Sequence, residues 1–240
     1  LEGPECSLLA LTDGTYVVPL ATAQDHKRAY DDDKGPNTGG MGVYSPVPFV
    51  TDEELSQMIA IEQHVVDQLK KEGINYSGCL YGGFMLTKDG PKVLEFNARF
   101  GDPETQVVLP RLQGDLVSIL MACDNGTLRH QQVSWSDTVA VSVVLASAGY
   151  PGSYEKGKEI TGIEAAQQFE GVSVYHAGTA QTEDGKIVTA GGRVLNVTAL
   201  APTFEEARAR AYEACDLINF EGKQLRHDIG LKALQGRPEK

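Results

Sequence analysis

Two Asp-Gly pairs restrict the architecture of this chain more than any other feature of it. Asp13-Gly14, in TDGT, joins the apolar runs Ser7–Leu11 and Tyr16–Leu20, and Asp89-Gly90, in KDGP, joins Cys79–Thr87 to Lys92–Asn97. A pair of this kind between short apolar runs is a hairpin signal, because a tight turn that follows the strand twist needs residues tolerant of positive φ. The first half of the chain is therefore expected to be built on antiparallel strands. Between the hairpins the pattern turns helical over Thr51–Lys71. TDEE is a capping box, Leu55, Met58, Ile59, Val65, Val66 and Leu69 recur at helical spacing, and Gly73 supplies the stop. A second helical stretch, Thr105–Ala122, carries Pro110, which is expected to kink or restart it.

Past DNGTLRHQQVSWSDT the texture shifts to β-rich segments, VAVSVVLAS, VSVYHAGTAQT and KIVTAGGRVLNVTAL, followed by the capped amphipathic stretch TFEEARARAYEACDLI. An α+β fold is expected, with one unit over residues 1–135 and a small, mostly antiparallel α/β unit over 136–240. The 240 residues with a hydrophobic share of 41% support real cores. Lys and Arg number 21 against 33 Asp and Glu, a formal net charge of −12, and there is no basic tract. That balance argues against nucleic acid as a partner. The four cysteines, Cys6, Cys79, Cys123 and Cys215, lack CxxC spacing and read as buried thiols of a reducing cytoplasm. No apolar run approaches the ~18 residues of a membrane-spanning helix.

The densest polar stretch is EFNARFGDPETQ, Glu95–Gln106. Strand alternation puts Glu95, Asn97 and Arg99 on one face. A carboxylate and an amide two residues apart suit Mg²⁺, which takes one or two protein oxygens and completes its octahedron with water and substrate phosphates. Arg99 adds a fork for a phosphoryl oxygen. A half-exposed strand with a polar face is the bland reading of the E-x-N pair, and the further carboxylates Asp102 and Glu104 weigh against it. The other concentration is GPNTGGMG, Gly35–Gly42, preceded by QDHKR and by the acidic run Asp31–Asp33, which reads as surface charge. Two readings of the glycines stand: a slack surface loop, or bare backbone whose amides approach an anion. The spacing is neither a Walker A nor a dinucleotide-binding motif.

Taken together, QDHKR, GPNTGGMG, VLEFNARFGDPETQ, GYPGSYEKGKEITG, YHAGTA, GGRVL and HDIG resemble the phosphoribosylamine–glycine ligase family of ATP-grasp enzymes, in order from Leu1 to about Leu234. LEGPE resembles the end of the adenine-binding hinge, so the chain is expected to lack the family's amino-terminal domain and first nucleotide-binding lobe. The fold implied is the second lobe of an ATP-grasp domain followed by a small domain packed on the active site. The reaction implied joins glycine to 5-phosphoribosylamine at the expense of ATP, through glycyl phosphate, in de novo purine biosynthesis. The resemblance further implies that Glu95 and Asn97 hold Mg²⁺ or Mn²⁺, and that Arg99 and Lys27 act on the transferring group. Leu1, Glu5 and Leu94 would receive the nucleoside. Asn37, Thr38, Gly39 and Gly40 would line the acceptor side. Asp102 and Glu104 would orient the glycine ammonium or brace Arg99, and Arg193 would make a distant phosphate or closing contact. Many ATP-grasp enzymes carry a further acidic metal ligand where this chain has Gly83. On the ligand-facing reading of the loop, Gly40→Val is expected to harm activity far more than stability.

Overall fold

The computed structural model describes residues 1–237. In chain order, β1 (Glu5–Thr12) and β2 (Val17–Pro19) form the first hairpin, and the short strands β3 (Gln24–Asp25), β4 (Arg28–Tyr30), β5 (Lys34–Asn37) and β6 (Gly42–Ser45) follow. Helix α1 (Asp52–Lys71) leads to the hairpin of β7 (Gly78–Thr87) and β8 (Gly90–Asn97). Then come α2 (Thr105–Val108), β9 (Leu112–Gln113), α3 (Leu116–Asn125), β10 (Ser134–Trp135) and β11 (Val139–Ser147). The remainder holds α4 (Ile163–Ala166), β12 (Val172–His176), β13 (Thr179–Gln181), β14 (Ile187–Thr189), β15 (Arg193–Ala201), α5 (Phe204–Leu217), β16 (Lys223–Gln224) and α6 (Leu231–Gln235).

Both hairpins pair as expected, and β1 joins them by running antiparallel to β7 from Glu5↔Met85 to Thr12↔Gly78, giving a sheet of order β2-β1-β7-β8. Thr51 and Glu54 close the capping box of α1, satisfying backbone donors that the first turn leaves free. The second helical stretch is divided. Its first turn ends in a 3₁₀ segment, Leu109–Arg111, containing Pro110, the chain straightens into β9, and α3 starts afresh on the Asp115 cap. Pro110 lacks the N–H that an uninterrupted helix would use, and Arg111 turns inward to donate to Ser45 Oγ and the Thr138 carbonyl.

A second, six-stranded sheet runs β12-β15-β11-β6-β3, with β16 on the far end of β11. It draws strands from both sides of residue 135: β6 pairs with β11 through Ala140↔Ser45 to Val143↔Gly42. Helix α5 packs on this sheet, with Phe204 edge-on to Tyr44 at 5.6 Å between ring centroids. The main buried cluster is accordingly continuous from Leu8 and Phe84 of the first sheet through Tyr44 to Val141, Leu195 and Ala211. All four cysteines are buried and free. No helix among the described residues is long and apolar enough to cross a membrane.

Candidate active site

The cavity that gathers the expected residues has a volume of about 410 Å³ and opens where β8, the start of β1 and the glycine-rich segment converge. The wall that carries Glu95 and Asn97 follows from a break in strand register. Gly83 pairs with Glu95 and Phe84 with Val93, so Leu94 is an extra residue, and the bulge turns Leu94 to the same cavity as Glu95 and Asn97. Gly83 is where a Cβ would come within 3.2 Å of Glu95 Cγ, so the Glu95 side chain crosses the bare backbone there. Among the described residues neither Glu95 nor Asn97 spends its side chain on a protein hydrogen bond, and no group of three or more His, Cys, Asp or Glu is placed to hold an ion. Two free hard oxygens beside an open cavity fit a cation that takes most of its ligands from water and phosphate. Arg99 lies just past the strand, donates to the Phe100 carbonyl at 3.0 Å and faces the same space.

The opposite wall is rich in carboxyl groups and buried. Glu104 is 3% exposed, and one of its oxygens accepts from Ser7 Oγ at 3.0 Å and Tyr81 Oη at 2.9 Å. Asp25, on β3, has both carboxylate oxygens out of solvent and without a hydrogen-bonding donor, and its nearest cation is Lys27 Nζ at 3.4 Å. Burial, reinforced by the charge of Glu104, pushes the Asp25 carboxyl up to about 8. Burial alone would lower the Lys27 ammonium, but Asp25, Glu104, Glu95 and Glu5 together hold it above its ordinary value. His26 between them is buried and neutral, lowered to about 3 by burial and nearby cations, with Nδ1 on the Gly42 carbonyl at 3.0 Å. Sequence reasoning missed Asp25, Ser7 and Tyr81. Asp25 stood in the QDHKR stretch already singled out, whereas Ser7 and Tyr81 sit in apolar strands and carried no local signal.

The glycine-rich segment is neither slack nor a cradle of free amides. The N–H of Thr38 donates to the Lys27 carbonyl, that of Gly39 to Tyr150 Oη, that of Gly40 to Thr38 Oγ1 and that of Met41 to the His26 carbonyl. The glycines instead admit neighbours from behind. A Cβ on Gly40, at φ +112°, would lie 2.5 Å from Pro103 Cδ and 2.6 Å from Asp25 Oδ1, and one on Gly42 would lie 2.7 Å from Ile229 Cγ1. The acidic run is likewise not free surface charge. Asp31 accepts from the His227 backbone, while Asp33 pairs with Lys232 and with Arg226, which is wholly buried and also paired with Asp228 at 2.6 Å.

Of the residues expected from the sequence, all but Leu1, Gly40 and Arg193 line this cavity. Leu1 borders a larger adjoining cavity of about 1070 Å³ that shares Glu5, Asp25, Lys27 and Asn37 with the first. Gly40 packs beneath Asp25. Arg193 donates to the carbonyls of Gly39 at 2.7 Å and Asp102 at 2.9 Å and pairs with the Asp102 carboxylate at 3.2 Å. Asp102 therefore meets Arg193 rather than Arg99.

Residues 1–105 match the family described as phosphoribosylglycinamide synthetase, ATP-grasp (A) domain, and residues 140–232 match its C domain. The chain is 50% identical over 230 residues to a phosphoribosylamine–glycine ligase of Caldanaerobacter subterraneus, covering 95% of this chain and 54% of that protein. It is 52% identical over 236 residues to the trifunctional purine biosynthetic protein adenosine-3 of Gallus gallus, covering 98% of this chain and 23% of that one. The crystal structure of phosphoribosylamine–glycine ligase from Thermotoga maritima superposes with a TM-score of 0.85 at 39% identity, over 95% of this chain and 56% of that one. A biotin carboxylase domain superposes at 0.65 with 16% identity, a likeness of fold alone. The chain thus spans about half the length of the single-function ligases it matches. On both family matches and on identity sustained along nearly its whole length, the chain belongs to the phosphoribosylglycinamide synthetase family, whose members are also called phosphoribosylamine–glycine ligases.

Proposed function

We propose that this chain carries the metal and acceptor side of an ATP-dependent ligase that joins glycine to 5-phosphoribosylamine, giving glycinamide ribonucleotide, ADP and phosphate. It acts with the part of its relatives' length that it does not span. The observation that carries the reading is the unspent oxygen pair of Glu95 and Asn97, facing Lys27, Arg99 and the buried carboxylates Asp25 and Glu104 across one cavity. Such a cavity suits a reaction between anions that must also seat an ammonium group.

The chemistry runs through glycyl phosphate. The glycine carboxylate attacks the γ-phosphorus of ATP, and the amine of phosphoribosylamine then displaces phosphate from the acyl carbon. A divalent cation, Mg²⁺ or Mn²⁺, held by Glu95 and Asn97 would neutralise phosphate charge and fix its geometry. Lys27, kept charged by four surrounding carboxylates, and Arg99, with donors to spare, stabilise the charge that gathers on the transferring group. Glu104, braced by Ser7 and Tyr81, gives the deep end the negative charge a glycine ammonium needs, and Asp25 adds an oxygen acceptor beside it. Leu1 offers backbone and Leu94 an apolar contact to the base, while Glu5, on the wall common to both cavities, reaches the ribose hydroxyls. Asn37, Thr38 and Gly39 border the acceptor end.

ADP release by the full-length protein, dependent on both glycine and phosphoribosylamine, tests the reading. Glu95→Ala is expected to lower turnover by at least about 10²-fold, the scale of losing a main electrostatic stabiliser, with the fold retained by circular dichroism. Near-normal turnover in that variant would remove the metal assignment.

A further inference from the structure

Two side chains from the second half of the chain reach the glycine-rich segment and engage both polar groups of a single residue. Tyr150 Oη accepts the Gly39 N–H at 3.0 Å, and Arg193 Nη1 donates to the Gly39 carbonyl at 2.7 Å. A Cβ on Gly39 would stand 3.0 Å from Arg193 Cζ, so the guanidinium lies on the bare α-carbon. The same guanidinium binds the carbonyl and carboxylate of Asp102, in the connection that carries Glu104. Gly39 belongs to the link between β5 and β6, and β6 lies in the six-stranded sheet, whereas Asp102 follows β8 of the four-stranded sheet. Arg193 thus ties the glycine-rich border of the cavity to the connection that carries Glu104.

The mount is stiff. Ser147, at the end of β11, donates its Oγ to the Gly191 carbonyl at 2.9 Å and its N–H to the Gly192 carbonyl at 2.8 Å, fixing the approach to Arg193. The Tyr150 ring packs on Gly192 and edge-on to Tyr154, with ring centroids 6.4 Å apart.

We propose that Tyr150 and Arg193 form a clasp that sets the separation of the Gly39 segment from the Asp102–Glu104 connection, and so act as positioning residues for the acceptor end of the cavity. Neither touches a reacting atom. Their effect is exerted on Thr38 and Gly39 of the glycine-rich segment and on Glu104 of the following connection, where a displacement of about 1 Å costs on the order of 10²-fold in rate. The kinetic consequence rests on the ligase reading above, whereas the clasp itself does not.

The test uses the full-length protein with Tyr150→Phe, Arg193→Gln and the pair together, read in two independent ways. Hydrogen exchange followed by mass spectrometry is expected to show the peptide covering residues 37–42 exchanging at least about tenfold faster in each variant, because Tyr150→Phe frees the Gly39 N–H directly and Arg193→Gln releases the Gly39 carbonyl that pins the segment. In steady-state kinetics, Arg193→Gln is expected to lower kcat/KM for glycine and phosphoribosylamine by about 10- to 100-fold while the KM for ATP stays within about twofold. Arg193→Lys, which keeps one donor to Gly39, recovers part of the loss. The double variant loses less than the product of the single losses, because both act on one residue. Unchanged exchange over residues 37–42 overturns the proposal, as does an equal loss for ATP and for the acceptors, which marks a general structural defect. If the wild-type protein releases no ADP with these substrates, the ligase reading falls and the exchange measurement alone decides the clasp.

Discussion

Glu62 and Asp25 are both carboxylates enclosed without a donor, but they have different surroundings. Asp25 borders both cavities, whereas Glu62, at the middle of α1, is fully buried against the backbone of Gly82, with neither oxygen at hydrogen-bonding geometry to a donor. Burial pushes its carboxyl up to about 9. The unfolded chain ionises Glu62 above its ordinary value near 4.5 while the native state holds the proton until about pH 9, so the native state binds the extra proton in between. Stability should therefore fall as pH rises through that window, and Glu62→Gln should remove the loss. The variant's gain is expected to be small at pH 5 and on the order of 3 kcal/mol at pH 7, read from urea unfolding at both values. An equal gain at both would refute it. The sequence could not show this. Met58, Glu62 and Val66 form one buried stripe at i, i+4 spacing, and a hydrophobic pattern passes over the glutamate in its middle. The capping residues Thr51 and Glu54 were legible because their chemistry is local. The same contrast separates Glu95 and Asn97, plain from a strand pattern, from Ser7 and Tyr81, which meet only because β1 and β7 pair.

At the scale of elements, the glycine-rich segment departs furthest from its sequence reading. Composition offered slackness or exposed amides, and the fold supplies a third cause, close packing from behind by residues remote in sequence. Gly40 then carries more stability than expected. A valine there must hold a left-handed φ of +112° with its Cβ inside the radii of Pro103 and Asp25. Gly40→Val is expected to lose at least about 2 kcal/mol of stability along with activity, seen as an earlier urea midpoint. A wild-type midpoint would refute the packing account. Hairpins and capped helices were read correctly because Asp-Gly turns and capping boxes act over four residues. The long stretch from Thr105 was legible as interrupted, but the form of the break depends on Arg111 finding Ser45 and the Thr138 carbonyl across the fold.

For the whole molecule, the governing feature is the six-stranded sheet shared by both ends of the chain. Texture suggested a division near residue 135, and the two family matches fall on either side of it. Yet β3 and β6 extend β11, and the buried Arg226 holds Asp33 and the Arg28 carbonyl from the far end of the sequence. Segments 1–135 and 136–237 produced separately are expected to be aggregation-prone, and co-expressed to associate into a complex that purifies together. Two segments that are each monomeric and cooperatively folded would contradict this. The same interleaving dictates an order of events on the ribosome. Gly42–Ser45 is synthesised long before its neighbour Val139–Ser147, so one edge of β6 stays unpaired until the later half emerges.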